Sequence, residues 1–139
     1  MQVVQYGPPI SLAVAKRVTE AAEKEAFAND WAMVIAVVDS TGHLVSLHKM
    51  DHAQYGSIAI AQAKAETAVK FKRPTRIFEE GVAEGGVGLR MLSVPGLTAL
   101  EGGLLLLEDD RIIGAIGVSG AKATEDAQVA AVGAHAVGG

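Results

Sequence analysis

Arg111–Ser119 is the segment that most restricts how this chain can fold. It runs through Ile112, Ile113, Gly114, Ala115, Ile116, Gly117 and Val118, an apolar strand interrupted by glycine. Glycine weakens a strand interior, so it stands there where something approaches closely or the strand bulges. Asp109-Asp110 supplies a turn before it. Leu97–Glu108, with Gly102-Gly103 and then Leu104 to Leu107, supplies the partner strand. The two arms make a β-hairpin.

A second hairpin is legible upstream. Met33–Val38 is a short, β-branched apolar run that suits a strand covered on both faces. Asp39 to His43 carries turn chemistry, and Leu44–Met50 returns. Helices surround these hairpins. Ser11 is placed to cap a helix reaching about Asn29, with Leu12, Val14, Ala15, Val18, Ala21, Ala22 and Ala26 on one arc and Glu25 as a misfit inside it. Ser57–Lys72 is an alanine-rich helix, and its alanines allow close packing; Pro74 stops it. Thr75–Val82 predicts a short extra helix, and Ala83–Pro95 a Gly-rich loop with an apolar turn near Leu89 to Leu92. Thr124 is placed to cap a last helix whose first turn holds Glu125 and Asp126. Hairpins joined by short turns, with helices packed on them, predict one α+β domain spanning residues 1–139.

Composition excludes several functions. The net charge of −4 and pI near 5.5 argue against nucleic-acid binding, which needs a basic face. The absence of cysteine rules out disulfides, thiolate catalysis and Cys-type zinc sites. No apolar run approaches the ~20 residues of a membrane span. Met1 to Ile10 has neither the cationic segment nor the apolar stretch of a signal peptide, which predicts a soluble cytoplasmic protein without membrane contact.

Candidate site residues fall into two groups. His48 and Met50 share a strand face, and His52 joins them if the chain stays extended; this suits a haem-iron environment or a general base. Surface histidines on a hairpin would look the same. His43 points to the opposite face, and His135 suits a helix C-terminus. The second group is anion-binding. Arg73 and Arg76 lie beside Thr75, past the helix break, where they would grip a carboxylate in bidentate fashion. Ser119-Gly120 leads into the last helix, where backbone N–H groups would cradle an anion, although Glu125 and Asp126 would repel it. Glu101, before Gly102-Gly103, would move a proton or anchor a hydrogen bond. Lys70 and Lys72 suit a helix C-terminus, and Glu79-Glu80 a solvated face.

Several segments together carry a resemblance: Ile35-Ala36-Val37-Val38-Asp39 with Gly42-His43-Leu44, Met50-Asp51, Ser57-Ile58 with Ala61, Lys64 and Ala65, Arg73-Pro74-Thr75, Pro95-Gly96, Glu101-Gly102-Gly103, and Gly114 to Gly120. In this order and spacing the chain resembles the GlcG/HbpS family of haem-binding-like proteins, related to the PduO C-terminal domain. The resemblance implies a profilin-like fold, an antiparallel sheet of about five strands flanked by helices, and homo-oligomers such as octamers. It also implies a small-molecule ligand, haem or a related tetrapyrrole, with Arg73 facing a propionate. The first helix carries no histidine, where some relatives place a ligand, so His48 or His52 would approach the iron instead. The alternative is a cofactor-free lyase or isomerase acting on a small carboxylate or aromatic acid. Arg73 would then bind the carboxylate, His48, His52 or Glu101 would move the proton, and the amides of Gly102, Gly103, Ser119 and Gly120 would hold an oxyanion.

Overall fold

The computed structural model describes residues 3–139. Two hairpins build its sheet. Strands β2 (Val34–Asp39) and β3 (Leu44–Lys49) pair antiparallel, with Val34 opposite Lys49. Their turn is held by Asp39, whose Oδ1 accepts from Thr41 N–H (2.9 Å), the Thr41 hydroxyl (2.6 Å) and His43 N–H (3.2 Å). Strands β4 (Gly103–Glu108) and β5 (Arg111–Ser119) form the second hairpin. Asp109 and Asp110 both adopt positive φ there, 52° and 60°, which matches the twist of a tight two-residue turn.

The glycine-bearing strand β5 is the centre. It pairs with β4 on one edge and with β2 on the other, so β3 lies outermost. A two-residue strand, β1 (Gln5–Tyr6), pairs parallel with Arg111 and Ile112 on the edge β2 also uses. The five-stranded sheet is therefore antiparallel except at β1.

Alternating side chains on the central strands pack against opposite layers. Helices α1 (Leu12–Ala28) and α4 (Ala123–His135) cover one face, burying Ile35, Val37, Leu106, Ile116 and Val118. Helix α2 (Gly56–Phe71) covers the other, over Val34, Ala36, Val38, Ile112 and Ala115. Burial on both sides explains the unbroken apolar run of β2. Each fully buried Val or Ile contributes about 1.5–3 kcal/mol. The glycines of β5 answer to α2. A Cβ on Gly117 would lie 2.0 Å from the Ala61 carbonyl oxygen and 2.6 Å from the Ala65 nitrogen. Helix backbone rests directly on sheet backbone, which needs alanine on one side and glycine on the other.

Local signals mostly held. Ser11 caps α1, accepting from Val14 N–H at 3.1 Å. Glu25 is no misfit, because its Oε2 accepts from Gln128 of α4 at 2.7 Å. Thr124 is not the cap of α4. Glu125 Oε1 accepts from Lys122 N–H (3.1 Å) and Asp126 Oδ1 from Ala121 N–H (3.0 Å), so the acids reach back and the helix begins at Ala123. Helix α3 (Arg76–Glu84) is followed by a 3-10 helix, Gly86–Ser93, where a loop was expected. This arm exposes Ile77, Val87, Leu89 and Leu92. Among the described residues no helix is long and apolar enough to cross a membrane.

Candidate functional site

A groove opens where α1 ends and β3 runs out. Asn29 closes α1, and Asp30 (φ 59°) turns the chain towards Trp31. The groove has two lobes of about 560 and 500 Å³ that share Glu23, Phe27 and Met50. Trp31, Lys49 and His52 complete the larger lobe, and Lys24 stands in the smaller. Phe27 is 78 % exposed, an unusual place for a large aromatic side chain.

Strand geometry aims β3 at α1. The Ser46 and Thr19 hydroxyls meet at 3.0 Å, and two residues on His48 Nδ1 meets Glu23 Oε1 of α1. Met50 follows on the same face, as a period of two requires. His52 arrives differently from expectation. The strand stops at Lys49, and His52 takes a left-handed φ of 70°, so a turn, not an extended chain, carries it into the groove wall. His43 stays in the hairpin turn, with Nδ1 2.8 Å from the Thr41 hydroxyl, and His135 is exposed at the last residue of α4. Among the described residues, no three His, Asp or Glu side chains converge as a metal site.

The anion-binding group lies elsewhere. His52 precedes α2 and Arg73 follows it. Sixteen helical residues, about 24 Å, separate the two ends, so they do not meet one ligand within a protomer. Arg73 turns back on its own surroundings: Nε donates to the Phe71 carbonyl at 2.9 Å, and the guanidinium lies 5.8 Å from the Phe78 ring centre. Arg76 faces Glu80 at 3.6 Å on an exposed helix turn. Thr75 is buried and exchanges two bonds with Gly103, its N–H donating to the carbonyl (3.1 Å) and its hydroxyl accepting from the N–H (2.9 Å). The Gly102 carbonyl accepts from Val118 N–H at 3.0 Å. The Ser119 hydroxyl bonds that of Ser57 at 3.0 Å, and Gly120 turns the chain towards α4. Of the cradle expected around Gly102, Gly103, Ser119 and Gly120, the Gly103 N–H is taken by Thr75 and the Ser119 hydroxyl by Ser57. Glu101 is half-buried at the start of β4, where its N–H approaches Glu79 of α3 at 3.4 Å.

One buried constellation went unread in the sequence. Lys64 Nζ donates to the Val118 carbonyl (2.8 Å) and to Asp126 Oδ2 (3.0 Å), tying α2 to β5 and to the start of α4. Burial pushes the Asp126 carboxyl above its ordinary range, against the pull of Ala121 N–H and Lys64. A Cβ on Gly102 would stand 2.9 Å from the Lys64 ammonium, so this glycine makes room for the charge. The signal was available: Lys64 shares a helical stripe with the buried Ala61, Ala65 and Ala68.

Comparison with known proteins agrees with this architecture. The model of the haem degrading protein HbpS-like family matches residues 10–135. Protein GlcG of Escherichia coli (strain K12) is 41 % identical over 110 residues, covering 79 % of this chain and 81 % of its own. The crystal structure of Klebsiella pneumoniae protein ORFY superposes with a TM-score of 0.87 at 30 % identity, over 99 % of this chain and 97 % of that one. The crystal structure of a PduOC:heme complex superposes with a TM-score of 0.82 at 27 % identity, over 92 % and 94 %.

Proposed function

We propose, from the premise that this chain belongs to the HbpS-like family, that it binds haem or a related tetrapyrrole in the groove between α1 and the end of β3. The groove offers donors and aromatic surface suited to that guest, beside the carboxylates of Glu20, Glu23, Asp30 and Asp51. Phe27 and Trp31 offer aromatic surface to a flat macrocycle. His48, His52 and Met50 are nitrogen and sulfur donors of the kind haem iron takes. Lys24 in one lobe and Lys49 in the other are the cations that would pair with propionates, a role the sequence had suggested for Arg73. Bound haem would supply an iron centre open to redox chemistry; the protein would supply orientation and shelter from water.

The observation that carries the reading is one groove with His52 in its wall, His48 hydrogen-bonded to its Glu23, and an aromatic side chain, Phe27, left 78 % exposed. Its test is a hemin titration of the purified protein. A Soret band that shifts on binding, and changes again in His48→Ala or His52→Ala, supports it. No shift, or a shift unaltered in both variants, overturns it.

The exposed apolar arm of Ile77, Val87, Leu89 and Leu92, with Leu100 beside it, supports assembly of several copies, since a lone soluble chain rarely leaves such a strip uncovered. Analytical ultracentrifugation giving a monomer at micromolar concentration would refute this.

The Glu23–His48 contact favours a second reading, a cofactor-free lyase or isomerase with His48 as its base. Incubation with small carboxylic and aromatic acids in D2O tests it. C–H exchange that is lost in His48→Ala supports it, and no exchange with any acid refutes it.

A further inference from the structure

Charge along the groove is unevenly paired. Four carboxylates line the two lobes against two ammonium groups, those of Lys24 and Lys49. Glu23 is engaged by His48. Among the described residues, Glu20, Asp30 and Asp51 have no ion-pair partner, and neither lysine has one. Lys49 rests on uncharged groups. Its Nζ lies 5.7 Å from the Tyr55 ring centre and donates to the Met50 carbonyl at 3.4 Å. One unpaired cation therefore stands in each lobe. Glu20 shares the smaller lobe with Lys24, and Asp30 and Asp51 share the larger with Lys49.

Resting on the reading of the groove as a tetrapyrrole site, we infer that it selects its guest by carboxylate number. It takes a macrocycle with two carboxylates and discriminates against one with four or eight, and Glu20, Asp30 and Asp51 determine that specificity. Two carboxylates on one edge of a ring exhaust the two free lysines. The rest of such a ring is apolar and suits Phe27 and Trp31. A further carboxylate finds no free cation left among the lining residues and meets unpaired carboxylates instead. Like charges brought together at a binding surface reject the wrong partner. Glu20, Asp30 and Asp51 are exposed, so each repulsion is modest, and two together amount to roughly tenfold in affinity.

Metal-free porphyrins test this apart from any iron ligand. The chain's single tryptophan, Trp31, lies in the larger lobe and reports on them by fluorescence quenching. Protoporphyrin IX should bind most tightly. Coproporphyrin, with four carboxylates, should bind roughly tenfold more weakly, and uroporphyrin, with eight, more weakly still. The double variant Glu20→Gln with Asp51→Asn removes one carboxylate from each lobe and should shrink the gap between protoporphyrin and coproporphyrin severalfold. The double variant Glu84→Gln with Glu108→Gln removes the same charge from exposed positions outside the groove and should leave the gap as in wild type. Coproporphyrin bound by the wild type as tightly as protoporphyrin overturns the inference while tetrapyrrole binding stands. So does a gap that the two double variants alter equally, or that neither alters. If none of the three porphyrins binds but hemin does, iron ligation selects the guest and the inference falls alone. If hemin fails as well, the reading of the groove falls and the selectivity with it.

Discussion

Lys64 and Asp126 stand 62 residues apart in the chain and 3.0 Å apart in space, with both side chains almost wholly buried. Removing one partner strands the other charge in the core. Lys64→Met should therefore cost about 3–5 kcal/mol in urea unfolding, and the double variant Lys64→Met with Asp126→Leu should cost clearly less. A double variant as unstable as the sum of the singles would contradict the pairing.

Two aspartates should pull acid stability in opposite directions. Burial raises the Asp126 carboxyl above 3.8, so the folded state holds its proton more tightly than the unfolded chain. Its contribution falls as pH climbs from 3.8 towards the raised value. For Asp39, desolvation is outweighed by the hydrogen bonds of Thr41 and His43, and its carboxyl titrates below 3.8. That contribution is present above 3.8 and disappears as pH falls through the lowered value. Unfolding free energies across the acid range for Asp126→Asn and Asp39→Asn should differ from wild type with opposite slopes. Equal slopes would refute the assignment.

Glycine positions should divide sharply. Gly117→Ala drives a methyl into the backbone of α2, and a cost of about 3 kcal/mol or more, or failure to fold, is expected. Gly81→Ala, in α3, meets nothing within 4 Å and should gain roughly 0.5–1 kcal/mol. Thermal melts of the two variants check both values.

Much of this architecture was legible before any coordinates. Ser11 and Asn29 bracket α1, and the turn chemistry at Asp39 and Asp109-Asp110 marks both hairpins, because caps and turns are local. What escaped was long-range. Strand β1 is two residues whose pairing depends on β5, over a hundred positions later. The Lys64–Asp126 pair required two helices to be placed first. Gly102 and Gly103 are points of close approach, as their glycines suggest, and the groups that approach are the Val118 carbonyl, Lys64 of α2 and Thr75. For the site, His48 and His52 were visible as residue types. Glu23, Phe27 and Trp31 were not, since only the folded end of α1 brings them opposite β3.

Phe27 offers a clean separation of stability from binding. Its ring is 78 % exposed, so Phe27→Ala should change stability by less than about 0.5 kcal/mol. Loss of a stacking surface should nonetheless weaken hemin binding roughly tenfold, about 1.4 kcal/mol. Titrations of both proteins, with melts alongside, measure the two effects independently.

A crystal structure of the hemin-loaded protein tests the central claim most directly. The iron should lie at bonding distance from His48 or His52, with the macrocycle against Phe27 and the propionates towards Lys24 or Lys49. Hemin seated instead beside Arg73 and Thr75, at the far end of α2, would contradict it.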